Sequence, residues 1–144
     1  MVMVALPRLS QAVDPAHQVS HIISTHRQAV GQPALTWSYR LSLVALARAK
    51  NMVAHQYVAH QNTGPHSTWH QLRAMGYHFQ SVAELIAVNQ TNPAKIVRLW
   101  ELSTAHRIYL QNRQFRQAGV AIVRTNYGGN LAVVVVLLLA NGTR

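Results

Sequence analysis

The feature of this sequence that most constrains its fold is an uninterrupted apolar run near the end, Leu131 to Ala140. The run is too short to cross a bilayer as a helix, which needs about 20 residues. Turn-forming residues at 126–130 precede it, as is typical of a β-strand. Because apolar and polar residues do not alternate along it, both faces of this strand should be covered. We therefore expect helices on both sides of a small sheet.

The remaining segments fit the same plan. A second, shorter β-rich run covers Gly119 to Thr125. Apolar residues at helical spacing predict four helices: from Asp14–Pro15 to about Gly31, from Ser38 to about Ala59, from Thr68 to Met75, and from Asn92–Pro93 towards His106. The sequence thus predicts an α+β fold, a three-layer α-β-α sandwich. We expect one domain over residues 15–144, after an N-terminal extension at 1–14.

The charge of the chain is strongly basic, with 13 Lys and Arg against three acidic residues and a formal net charge of +10. Such an excess predicts attraction to polyanions such as nucleic acid, anionic lipid or acidic glycans. The basic residues are scattered, however, and are not interleaved with aromatic residues that could stack on bases. We therefore expect a generally cationic surface and no specific nucleic-acid site.

Cysteine is absent, which excludes disulfides and thiolate metal sites. The first residues, Met1 to Pro7, lack the basic start and the full apolar core of a signal peptide, so we do not expect a complete one here. No segment has the length and apolarity of a transmembrane helix.

One of the three acids, Glu84, lies within the apolar stretch Ser81 to Ala87. A carboxylate among Val, Ala, Leu and Ile is costly unless it meets a cation, a metal or several hydrogen-bond donors. Two histidines could approach it. His60 continues the apolar face of the second helix by one turn and is expected to point inward at its end, and His106 follows the last helix.

Five stretches of the chain resemble, in order and at the family's spacing, motifs of the CAP superfamily. They are His26 to Trp37, Tyr57 to His60, Ala83 to Ala87, Trp100 to Arg107 and Gly119 to Ala121. This superfamily includes the cysteine-rich secretory proteins, wasp antigen 5 and the plant pathogenesis-related proteins. The greatest similarity is to its short, cysteine-free bacterial branch, and it covers roughly Val19 to Ala140.

The resemblance implies a sandwich with a small, mainly antiparallel sheet, and a secreted or periplasmic location. It also implies a surface cleft lined by His60, Glu84 and His106, with Ser103 in the position of a second cleft glutamate. In some family members the cleft histidines bind zinc or another divalent cation. His60 and His106 are therefore candidate metal ligands, and Glu84 is a third ligand, a hydrogen-bond acceptor for them, or a base acting on bound water. The alternative is that Glu84 only ties helices to the sheet.

Two departures from the family pattern weaken a catalytic interpretation. Ser103 replaces the second glutamate, and Glu101 cannot substitute for it because two residues on a helix are about 200° apart. Leu85 replaces the asparagine that follows the motif glutamate. A serine nucleophile formed by Ser103 and His106 lacks an evident third group, unless Glu84 supplies the acid.

Three functions follow as hypotheses. The favoured one is a secreted or periplasmic binding protein, without committed catalytic residues, whose cleft takes a divalent metal or a small ligand. The second is a zinc-dependent hydrolase or protease that uses the same cleft. The third is adhesion to an anionic surface, whether glycan, lipid or another envelope component, through the basic surface. Trp37, Trp69 and Trp100 are interpreted as core residues, and the pair His17 and His21 as solvated or capping rather than metal-binding.

Overall fold

The computed structural model describes residues 13–61, 63–125 and 129–143. The helices of this part are α1 (Pro15–Ala29), α2 (Tyr39–His55), α3 (Thr68–Ala74), α4 (Pro93–Leu102) and α5 (Thr104–Leu110). The strands are β1 (Thr36–Trp37), β2 (His78–Val88), β3 (Gln117–Arg124) and β4 (Val133–Thr143). Met1 to Pro7 and most of the predicted turn at 126–130 lie outside the described residues.

The strands form one mixed sheet in the order β1-β3-β4-β2. β4 pairs antiparallel with both β2 and β3, whereas the two-residue β1 pairs parallel with β3. β1 and β2 are the edges of this sheet. The expected small, mainly antiparallel sheet is confirmed.

Helices cover both faces of the sheet, because β4 is apolar on both. Its odd-numbered residues from Val135 to Leu139 pack in a core with α1 and α4. Its even-numbered residues from Val134 to Ala140 pack in a second core with α2 and with Leu72 of α3. The α-β-α sandwich predicted from the unbroken apolar run is therefore present.

Two helix predictions need correction. α2 ends at His55 rather than near Ala59, because Gln56 takes a left-handed conformation (φ 51°, ψ 48°). Its backbone N–H bonds the carbonyl of Val53, and its side chain bonds the backbone of Leu131. His60 therefore lies on an irregular segment beyond the helix and does not continue its apolar face. The last predicted helix is two helices, since Ser103 has an extended backbone (φ −95°, ψ 122°) between α4 and α5.

Close contact between α2 and β3 depends on Gly119. A Cβ atom at this position would overlap the backbone at Leu41 and Ser42, in the first turn of α2. The glycine thus lets the first turn of the helix approach the sheet directly.

Candidate functional site: a cleft at the edge of the sheet

A surface cleft of about 380 Å³ opens at the free edge of β2. One wall comes from the segment after α2 and from α3, and the opposite wall comes from α5, which belongs to the other helical layer. The lining residues are His60, Gln61, Thr68, Trp69, Val82, Ala83, Glu84, Ala105, His106 and Tyr109. Three of the four residues expected in a cleft, His60, Glu84 and His106, therefore share one.

Glu84 forms the floor of the cleft, and its side chain is only 8% exposed. It lies on β2 opposite Leu138, on the face of the sheet that α2 covers. Arg48 of α2 binds both of its carboxylate oxygens: Nε donates to Oε2 at 2.8 Å and Nη2 donates to Oε1 at 3.0 Å. The cation that an acid in this apolar stretch requires is therefore Arg48.

Arg48 is itself buried, with 1% of its side chain exposed. Besides Glu84, it donates from Nη2 to the Ala59 carbonyl at 2.7 Å and from Nη1 to Gln61 Oε1 at 3.1 Å. One guanidinium thus joins the floor of the cleft to the segment that carries His60. The fork of N–H donors on arginine suits such a junction better than the single ammonium of lysine.

Arg48 is one of the scattered basic residues that the sequence analysis assigned to a cationic surface, although the sequence contains a signal of its burial. Arg48 lies three residues after Ala45 and four before Met52, on the same buried stripe of α2. A charge within an apolar stripe marks a buried cation that needs a partner.

Two more side chains complete the shell around Glu84. Thr68 donates its hydroxyl to Oε2 at 2.9 Å, and His60 Nδ1 lies 3.1 Å from Oε1. Burial alone would raise the pKa of Glu84, but the hydrogen bonds and charge of Arg48, with the bonds from Thr68 and His60, outweigh it and hold the pKa below its usual value. Glu84 is therefore ionised at neutral pH, and its oxygens already accept from three residues. A carboxylate in this state is a poor general acid and a weak base.

His106 lies on α5, in the wall that faces His60, and Ala105 and Tyr109 flank it there. Ser103 is half-buried at the junction of α4 and α5 and is not among the lining residues. Its carbonyl accepts the N–H of Arg107, which starts the new helix. Glu101 points elsewhere and pairs with His26 of α1.

The described residues do not form a three-ligand metal site. Among them, no group of three or more His, Cys, Asp or Glu side chains is arranged to hold one ion. Zinc sites with catalytic roles use three protein ligands, and Glu84 is already bound to Arg48. The residues present thus do not fit a resident zinc ion held by His60, His106 and Glu84 together, and metal binding by the two histidines stays a prediction.

Of the three tryptophans interpreted mostly as core residues, Trp100 lies in the core and Trp37 packs against it. Trp100 is buried and donates its Nε1–H to the Ile86 carbonyl at 3.0 Å. Trp69 and Trp37 are only half-buried. Trp69 lines the cleft, and Trp37 lines a separate groove beside α1. No helix in the described ranges is long and apolar enough to span a membrane.

The sequence and the structure are similar to those of known proteins. The chain is 28% identical over 108 residues to "Uncharacterized protein YkwD" of Bacillus subtilis (strain 168), which covers 75% of this chain and only 42% of YkwD. An extracellular protein containing an SCP domain from Bacillus anthracis matches with a TM-score of 0.75 and 20% identity, over 96% of this chain and 45% of that one.

An outer surface protein of Borrelia burgdorferi matches with a TM-score of 0.78 and 17% identity, over 91% of this chain and 97% of that one. At these identities, the two solved structures confirm the fold. The sequence model of the cysteine-rich secretory protein family, CAP, matches residues 21–138, which is most of the chain. This cysteine-free chain therefore belongs to the CAP family.

Proposed function

We propose that this protein is an extracellular, non-catalytic binding module whose cleft takes a small ligand between His60 and His106. The observation that carries the proposal is the closed shell around Glu84, the one acid among the described lining residues, because Arg48, Thr68 and His60 occupy its oxygens. A hydrolytic reaction needs a group that can take up a proton; Glu84 is poorly suited to that role, which would therefore fall to His60 or His106. Binding requires only that the walls offer contacts.

The walls offer contacts of two kinds. Trp69 and Tyr109 provide flat aromatic surfaces, whereas Gln61, His60 and His106 provide polar atoms that can donate or accept hydrogen bonds. A volume of about 380 Å³ lies within the range of about 300–1,000 Å³ that is usual for small-molecule sites. The cleft therefore suits a small polar molecule with a flat ring.

An extracellular location is supported by relatives. The Bacillus anthracis match is described as extracellular and the Borrelia burgdorferi match as an outer surface protein. The chain spans less than half the length of YkwD and of the Bacillus anthracis protein. The proposal therefore concerns the CAP module alone.

Two measurements test this function. Hydrolysis of casein and of p-nitrophenyl acetate by the wild type should not exceed that of Glu84→Gln. In ¹H–¹⁵N spectra, small aromatic fragments should shift the signals of the His60 segment, Trp69 and α5 in the wild type. His106→Ala should weaken these shifts, and His55→Ala, on the exposed end of α2, should leave them unchanged. Turnover that disappears in Glu84→Gln, in His60→Ala or in His106→Ala would overturn the non-catalytic role.

A second candidate function is adhesion to polyanions, and one observation favours it. In the described ranges, Arg48 is the only Lys or Arg that pairs with an acid. Nine others are exposed: Arg40, Lys50, Arg73, Lys95, Arg98, Arg107, Arg113, Arg116 and Arg124. Binding to heparin should therefore weaken steeply as salt is raised, and binding that ignores ionic strength would exclude this candidate.

A further inference from the structure

A second groove, of about 650 Å³, runs along the outer side of α1 and shares no lining residue with the cleft. Its lining extends from Val13 through α1 to Gln28 and across to residues 34, 35 and 37. From His17 to Gln28, the helix covers about 16 Å at about 1.5 Å per residue. The groove is therefore long enough for a short chain of rings rather than for one small molecule.

An aromatic wall closes one end of this groove. The ring of His17 stacks on that of Trp37 with centroids 3.8 Å apart and an angle of 24° between the planes. Asp14 holds His17 in place, because its carboxylate accepts the backbone N–H at 3.1 Å and lies 2.6 Å from Nδ1. Trp37 is fixed from the other side, since β1 pairs with β3. The two stacked rings thus form a rigid aromatic wall, in which the His17 side chain is 45% exposed.

Polar groups line the groove at intervals of one helical turn, through residues 17, 21, 24 and 28 of α1. In the described part of the chain, the side chains of His21 and Gln28 have no hydrogen-bond partner. Ser24 accepts the Leu35 N–H at 2.9 Å and keeps its own hydroxyl hydrogen for a ligand. A regular row of donors and acceptors beside a flat apolar wall matches a polymer of rings that carry hydroxyl or amide groups.

The charge of the lining residues further limits the class of ligand that the groove can bind. Within the ranges that the structure describes, no Lys or Arg lines the groove, and neither does any acid. An anionic ligand would therefore meet no charged Lys or Arg side chain in the lining. An extended peptide is also disfavoured, because β1 offers an edge of two residues and the Leu35 N–H beside it is already bound by Ser24.

From this geometry we propose that the α1 groove binds an uncharged oligosaccharide. One sugar ring packs its C–H face against the wall formed by the stacked rings of His17 and Trp37, and the following rings hydrogen-bond to Ser24 and Gln28. The site is independent of the cleft and of any function of the cleft.

Titration of the full chain with the neutral trimer of β-1,4-linked N-acetylglucosamine tests this proposal. Calorimetry should detect binding, and ¹H–¹⁵N shifts should map to residues 17–28 and 34–37. Trp37→Ala should lower the affinity at least tenfold, and Trp37→Phe should retain part of it. Gln28→Ala, an exposed change that leaves packing intact, should weaken binding even if Trp37→Ala fails to fold. His106→Ala, in the cleft, should bind as the wild type does.

Several outcomes would overturn the proposal. They are an absence of shifts along α1 at the highest soluble trimer concentration, shifts confined to the cleft, and equal affinity in Gln28→Ala. Tighter binding of a sulfated trimer to the same α1 residues would show that charge rather than neutral hydroxyl groups selects the ligand.

Discussion

Arg48 and Glu84 form a two-point ion pair, with N–O distances of 2.8 and 3.0 Å, between the inner face of α2 and the edge strand β2. Both side chains are buried. The pair fixes the floor of the cleft and, through the Ala59 carbonyl, the segment that carries His60.

Breaking this pair from one side should be strongly destabilising. Arg48→Met leaves the Glu84 charge buried without its cation, and such a loss typically costs about 3–5 kcal/mol. Urea denaturation monitored by circular dichroism measures the free energy of unfolding. Arg40→Met, an exposed arginine of the same helix, is the matched control and should change it little. If the two variants were equally stable, the pair would contribute no net stability.

Replacing both Arg48 and Glu84 should destabilise the protein less than replacing Arg48 alone. In Arg48→Met/Glu84→Leu no charge stays buried, and apolar replacements of a buried pair are often neutral or stabilising. We expect the double variant to regain most of the stability lost in Arg48→Met. The double variant should nevertheless be less ordered around His60, because the hydrogen bond from Arg48 to the Ala59 carbonyl is gone. Faster amide hydrogen exchange at residues 57–61 would report this loss of order. A double variant as unstable as Arg48→Met would contradict this account.

Acid should destabilise the protein through Glu84. Its pKa is lower in the folded state than in the unfolded chain, so the folded state holds fewer protons. The stability it contributes is therefore present above about pH 4.5 and is lost as the pH falls through the folded-state pKa. Glu84→Gln should flatten the dependence of unfolding free energy on pH below 4.5. A remaining slope is expected from Asp14, whose pKa is also lowered: burial opposes this shift, and bonds from His17 outweigh burial. An unchanged slope in Glu84→Gln would be inconsistent with the ionised, bonded state.

Gly119→Ala should separate α2 from β3. The new methyl group overlaps backbone atoms at Leu41 and Ser42, which cannot rotate away, and overpacking of this kind costs about 3 kcal/mol. Gly142→Ala is the comparison, because its methyl group meets the side-chain ends of Gln117 and Tyr77. Thermal unfolding should show the larger loss for Gly119→Ala, and the reverse order would refute the close-approach argument.

The metal content of the protein tests whether His60 and His106 act as metal ligands or only as contacts for another ligand. Protein purified without a histidine tag is analysed by inductively coupled plasma spectrometry after addition of Zn²⁺ and desalting. Any zinc bound in the cleft should be lost in His60→Ala/His106→Ala and kept in Glu84→Gln, since Arg48 and not a metal is the partner of Glu84. Equal zinc in the wild type and in the double histidine variant would place the ion elsewhere.

The sequence predicts the layers of this fold better than the details of its cleft. The apolar run of β4 requires cover on two faces, and this requirement can be read from the residues of the run alone. The end of α2 was missed because Gln56 is not a residue that signals a left-handed cap, and its side chain is held by Leu131, distant in sequence. The position of Arg48 on the apolar stripe of α2 indicates its burial, but its partner lies 36 residues away, and only the tertiary fold joins them.

The two walls of the cleft belong to different cores. His60, Thr68 and Trp69 stand on the side of α2 and α3, whereas His106 and Tyr109 stand on α5, whose Leu110 packs with α1 and α4. A molecule held between them would bridge two packing units that lie on opposite faces of the sheet. Occupancy would then slow the opening of both helical layers together. A bound ligand would therefore slow hydrogen exchange at amides that it does not contact.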